Sequence, residues 1–72
     1  MVETVNWPTS SQVFSTKYDD EKQELTVKFK TGTYAYNKVP KATWDYLKQT
    51  SSIGKFINTM IKPHHSYTKL PS

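Results

Sequence analysis

The stretch Leu25 to Pro40, LTVKFKTGTYAYNKVP, decides the fold. Its first half alternates strictly: Leu25, Val27 and Phe29 are apolar, while Thr26, Lys28 and Lys30 are polar. A Thr31-Gly32 pair interrupts, and Tyr34 and Tyr36 then alternate with Thr33, Ala35 and Asn37. Successive side chains of a strand point to opposite faces, so period-two alternation on both sides of a short glycine-containing break predicts a β-hairpin. With Thr31 and Gly32 as the loop, Lys30 faces Thr33, Phe29 faces Tyr34 and Val27 faces Tyr36. Both tyrosines then share a face with Leu25, Val27 and Phe29, and Lys28 and Lys30 point the other way. A slip by one residue would reverse every one of these assignments.

Upstream, Gln12 to Asp19 alternates more weakly, with Phe14, Thr16 and Tyr18 set against Val13, Ser15 and Lys17. The turn that follows, DDEKQE from Asp19 to Glu24, holds four of the chain's six acidic residues. Placing Tyr18 opposite Leu25 puts Thr16 opposite Val27 and Phe14 opposite Phe29. Phe14 and Tyr18 then join the apolar face. The other face carries Val13, Ser15, Lys17, Thr26, Lys28, Lys30 and Thr33, and is polar and positively charged.

Downstream, Val39-Pro40 ends the sheet, and proline suits a helix's first turn because its missing N–H has no intrahelical partner there anyway. Lys41 to Gln49 reads as a short helix, with Trp44 and Leu47 three apart and Tyr46 beside them. Gln49 to Ser52 breaks it, and Ser51 or Ser52 can cap the next helix. From Ile53 to Lys62 the apolar residues Ile53, Phe56, Ile57, Met60 and Ile61 fall on one helical stripe. Gly54 within it costs about 1 kcal/mol relative to alanine, which points to close packing there. Pro63 stops the helix. The expected architecture is α+β: a three-stranded antiparallel meander with two C-terminal helices packed on one face. Residues 1–11 read as an N-terminal arm whose Trp7 packs on the domain or serves as a stacking residue. Residues 12–63 read as the domain, and 64–72 as a C-terminal tail.

A chain of 72 residues makes one small domain, which buries only roughly 60% of its unfolded surface. Without cysteine there is neither a disulfide nor a thiolate metal site to staple it. Stability must come from aromatic burial at Trp7, Phe14, Phe29, Trp44 and Phe56, helped by five tyrosines. The first ten residues lack a basic start and an apolar run, and no stretch approaches membrane-spanning length, so a soluble cytoplasmic protein is expected.

The pattern Ser10-Ser11, Tyr18-Asp19, Leu25-x-Val27-x-Phe29, Gly32, Tyr34-x-Tyr36, Val39-Pro40, Trp44, Leu47, Ser52-x-Gly54-x-Phe56 and Ile61 resembles the KTSC domain. That small domain occurs at the C-terminus of some lysyl-tRNA synthetases and as stand-alone bacterial and phage proteins. The resemblance runs from about Ser10 to Tyr67, and Tyr-x-Tyr followed by Val-Pro is its most specific part. Trp44 stands where a smaller aromatic or aliphatic residue is expected, a change of packing. The resemblance implies the α+β fold and raises RNA binding as an expectation.

Ten lysines against six carboxylates give a net charge of +4, and every basic residue is lysine. Such a balance suits nucleic acid or an acidic protein surface as partner, or serves solubility alone. Arginine is the residue that reads phosphate and guanine bidentately, so its absence points to backbone contacts without base-specific readout. The candidate nucleic-acid-binding residues are Lys17, Lys28 and Lys30 on the polar sheet face, Lys55 from the second helix, and Tyr34 and Tyr36. Two aromatics two apart on a strand can stack on successive bases. The hairpin register nevertheless puts both rings toward the helices, where they serve the core. His64, His65 and Tyr67 lack the ligand set of a metal site and read as tail. The acidic turn lacks calcium-loop spacing, and the two glycines, Gly32 and Gly54, lie in different elements and make no phosphate loop. No nucleophile–base pair stands out. The expectation is a non-enzyme without cofactor or metal that binds RNA or single-stranded nucleic acid. The alternative is a protein-interaction module, an inhibitor or adaptor docking on a larger, possibly host, protein with an acidic surface.

Overall fold

In the computed structural model, which describes residues 1–71, the chain forms five strands. These are β1 (Val2–Asn6), β2 (Val13–Asp19), β3 (Glu24–Phe29), β4 (Gly32–Tyr36) and β5 (Tyr67–Leu70). They make one antiparallel sheet in the order β1-β2-β3-β4-β5. Helix α1 (Lys41–Lys48) and helix α2 (Ile53–Phe56), which runs on as a π-helical segment (Ile57–Ile61), lie between β4 and β5 in the chain.

The expected three-stranded meander is thus short by two strands, because the segments read as arm and tail are the sheet's edges. In β1 the period-two signal is masked. The inward position opposite Tyr18 is Glu3, a charge, and the outward one opposite Asp19 is Val2. Glu3 is tolerated because Trp44 Nε1 donates to its Oε1 at 3.1 Å. Strand β5 is only four residues long and mostly exposed, so it carries no apolar alternation. It pairs with β4 through Tyr36 opposite Tyr67 and Tyr34 opposite Lys69.

The β2–β3 register is the expected one at Tyr18 opposite Leu25 and Thr16 opposite Val27. The β3–β4 register differs by two residues: Leu25 faces Tyr36, Val27 faces Tyr34 and Phe29 faces Gly32. The loop is therefore Lys30-Thr31, with Gly32 as the first residue of β4. Gly32 has φ +150°, a backbone shape that side-chain-bearing residues rarely adopt. A shift of two preserves the faces, so Tyr34 and Tyr36 stay on the side of Leu25 and Val27.

A β-bulge at Val13–Ser15 overturns the placement of Phe14. Val13, not Phe14, lies opposite Phe29, and Ser15 lies opposite Lys28. The extra residue restarts the alternation. Val13 and Thr16 are fully buried toward the helices, and Phe14 is turned out, 50% exposed. Val13 accordingly leaves the polar face and takes the core position.

Pro40 precedes α1 in extended conformation (φ −66°, ψ 153°), and its carbonyl accepts from Thr43 and Trp44 N–H. Trp44 and Leu47 fill the core from α1, and Ile53, Ile57 and Ile61 from the second helical unit. Lys62 N–H bonds Ile57 C=O at 2.9 Å, one residue further back than in an α-helix. This wider winding keeps Ile57 and Ile61 inside but rotates Met60 out, so one of the five residues of the expected stripe is exposed.

Because Val13 is sealed and Phe14 is not, Val13→Ala is expected to cost about 2 kcal/mol, and Phe14→Ala less than about 1 kcal/mol. Urea denaturation of the two variants checks this; a Phe14→Ala cost equal to that of Val13→Ala would contradict the bulge.

Candidate nucleic-acid interface

The helices and the core occupy one face of the sheet, and among the described residues nothing covers the other. Pairing places Lys17 on that open face between Thr4 of β1 and Thr26 of β3. Lys28 lies on it between Ser15 of β2 and Thr33 of β4. The outward residues continue as Thr68 beside Ala35 and Leu70 beside Thr33. Lysine and threonine suit this place: threonine favours the extended backbone and its hydroxyl keeps the surface polar. Lys17 and Lys28 are both exposed. As diagonal neighbours on adjacent strands they sit about 7–8 Å apart.

The six sequence candidates separate into three groups. Lys17 and Lys28 share the open face, and Lys30 stands at its edge, exposed in the β3–β4 turn, one position beyond the strand expected to hold it. Tyr34 and Tyr36 face the helix side. Tyr36 is 1% exposed and offers no ring face, and burial raises its hydroxyl's pKa. Tyr34 is half-buried between Phe29 and Tyr67, with ring centroids at 5.6 and 5.3 Å. Lys55 projects from α2 and lines a cleft at the end of the sheet. His64 and His65 lie in the turn after the π-helical segment, and Tyr67 belongs to β5, packed on Tyr34 and Tyr36.

Phe14, expected on the inner apolar face opposite Phe29, is instead an exposed aromatic. Val13 is sealed inside and Ser15 stands opposite the outward Lys28, so the intervening bulge residue Phe14, half exposed, is turned away from the core. The available signal was the apolar pair Val13-Phe14 in an otherwise alternating strand, which leaves open which of the two faces the core.

Charge is segregated along the strands. All six carboxylates gather at the β2–β3 turn or beside it. Asp19, Asp20, Glu21 and Glu24 form and flank the turn, Glu3 lies opposite Tyr18, and Asp45 shares Lys48 with Glu3. On the open face Asp19 and Glu24 lie opposite each other at that far end. The hydrogen bond from Trp44 holds Glu3 below the ordinary carboxylate range, with help from Lys48, and the terminal ammonium does the same for Asp20. At the other end, the clefts lined by Lys30, Lys55 and Lys62 contain no carboxylate.

A five-stranded antiparallel sheet with lysines and hydroxyls on one face and two short helices on the other makes a small α+β domain. Residues 9–67 match the KTSC domain model, and the chain belongs to the KTSC domain family. It is 39% identical over 57 residues to a protein of Stutzerimonas stutzeri, covering 78% of this chain and 80% of that one. It is 38% identical over 55 residues to a protein of Tsukamurella paurometabola, covering 75% and 82%. The crystal structure of a KTSC domain protein from Yersinia pestis superposes with a TM-score of 0.90 at 26% identity, covering 99% of this chain and 100% of that one. The family match stops short of β1 and reaches only the start of β5, whereas the structural likeness extends over both edge strands. Among the described residues no helix is long and apolar enough to cross a membrane.

A carboxylate with a lowered folded-state pKa stabilises the fold above its ordinary titration range, and that contribution is lost as pH falls through the lowered value. Thermal unfolding followed between about pH 3 and pH 7 is therefore expected to show a steeper acid-side loss for wild type than for Glu3→Gln. Parallel curves would show that Trp44 and Lys48 do not hold the Glu3 charge.

Proposed function

We propose that the protein is a non-catalytic module that binds single-stranded nucleic acid, RNA foremost, by lysine contacts to the phosphate backbone with little sequence preference. The observation that carries this reading is the open sheet face. Lys17 and Lys28 stand on it on neighbouring strands, with Lys30 at its edge, the exposed ring of Phe14 close by and the carboxylates withdrawn to the far end. Ammonium groups supply point-charge contacts to phosphates, and an exposed ring on a sheet is a stacking platform that accepts any base. The ring in this role is Phe14, since Tyr36 is sealed in the core. The threonine and serine hydroxyls around the lysines can donate to backbone oxygens. An all-lysine surface fits binding that follows charge and strand flexibility more than sequence.

The alternative, an adaptor or inhibitor that docks on an acidic protein surface, draws support from the two sheet edges. Strands β1 and β5 each have one side without a partner strand among the described residues, and such edges accept an added strand. Flat nucleic-acid titrations at low salt would turn the reading to this alternative.

Fluorescence anisotropy with labelled single-stranded RNA, single-stranded DNA and duplex tests the proposal. Three backbone contacts on a single strand give an expected slope of log affinity against log salt of roughly −2. The variant K17A/K28A/K30A is expected to lose that slope together with most of the affinity. Affinity indifferent to salt, or unchanged in the variant, would refute it.

A further inference from the structure

Two hollows at the end of the sheet away from the acidic turn are parts of one trough. The larger, of about 690 Å³, lies between the β1–β2 connection and α2, with Trp7 on one side and Ser52 and Lys55 on the other. The smaller, of about 420 Å³, lies under the β3–β4 turn and is bounded by Phe29, Lys30 and Lys62. They meet at a shared wall of Ser11, Gln12 and Asn58. The Gln12 side chain rests on α2 at Gly54, where a methyl group would come within 2.9 Å of its Oε1. Lys62 is held at the mouth of the smaller hollow, its Nζ 5.3 Å from the centre of the Phe29 ring. Lys30 is tied to the wall, since its N–H bonds Gln12 C=O at 3.1 Å.

The chemistry along this trough is uniform. It has lysines spread from end to end, hydroxyls and carboxamides between them, an indole at one end and no carboxylate. The Trp7 indole is half-buried and fixed in place by donation from Nε1 to Thr16 Oγ1 at 2.9 Å, so its ring is a rigid wall. Spaced ammonium groups beside an aromatic wall match a phosphodiester chain with unstacked bases. Duplex bases, stacked on one another, cannot reach Trp7. Lys30 also stands at the edge of the open sheet face, which makes the two surfaces continuous.

We infer that this trough is a second nucleic-acid subsite, in which a short single-stranded run that leaves the open face at Lys30 passes Lys62 and Lys55 and places a base against Trp7. The inference rests on the proposed function and adds a site on the helix side of the molecule. It explains a place for Lys55, which the open face cannot reach.

The two indole N–H signals and the backbone amides in a nitrogen–proton correlation spectrum separate the possibilities. The probe is an oligouridylate of about ten nucleotides at low salt. Trp7 and the amides of Ser51 to Lys55 are expected to shift on titration, while the Trp44 indole, sealed inside, stays in place. The variant K55A/K62A changes two exposed side chains and is expected to weaken affinity roughly tenfold and abolish the Trp7 shift. Shifts confined to Lys17, Lys28 and their neighbours, with the variant binding like wild type, would overturn the trough and leave the proposed function standing. No shift anywhere would overturn both. Trp7 shifts with an unmoved open face would refute the open-face site and, with it, the path that leaves that face at Lys30.

Discussion

The packing of Trp44 is the contact on which the rest depends. Its ring stacks on Tyr18 with centroids 5.3 Å apart and planes 13° from parallel. Its Nε1 donates to Glu3, and Tyr18 OH in turn donates to the Val39 carbonyl at 2.6 Å. One buried cluster thereby joins β1, β2, the connection into α1 and α1 itself. Truncating a buried tryptophan costs about 3–5 kcal/mol, and a domain of this length holds about 4–11 kcal/mol in total. A single side chain thus carries a large share of the fold. The tryptophan, larger than the residue expected at its position, also accounts for an acidic residue facing inward from an edge strand.

That cluster has a functional consequence. It draws the helices onto one face of the sheet, and among the described residues no element covers the other. It also keeps Glu3, Asp45 and Lys48 together near the β2–β3 turn. The remaining acids lie in or beside that turn, so the lysines at the opposite end face no carboxylate. The net charge of +4 is thereby unevenly placed: Lys22, Lys41 and Lys48 stand among the carboxylates, whereas Lys30, Lys55 and Lys62 do not.

The sequence disclosed the faces of the central hairpin more firmly than its register. Alternation fixes parity, and the two-residue shift caused by Gly32 entering β4 leaves parity intact. The bulge in β2 was hidden because it inserts no glycine: Val13 and Phe14 compete for one inward position, and only packing on Phe29 and the helices decides between them. The edge strands were hidden for a different reason. Glu3 in β1 is explained by Trp44, a residue 41 positions away, and β5 is short and solvated. In the candidate site, Lys17 and Lys28 were legible as one face, since strand parity alone aligns them. Phe14 was not, because it depends on the bulge. The trough was not legible either, because its walls come from Trp7 to Gln12, the β3–β4 turn and the second helical unit, brought together only by tertiary packing.

Photo-crosslinking of the wild-type protein to single-stranded oligouridylate, with the adducts located by tandem mass spectrometry, tests the central claim most directly, since it reads contact and position in one measurement. Adducts on Phe14, with Trp7 as the second site, are the expected result. Adducts confined to Tyr46 on the exposed side of α1, or none at low salt, would contradict a nucleic-acid interface built on the open sheet face.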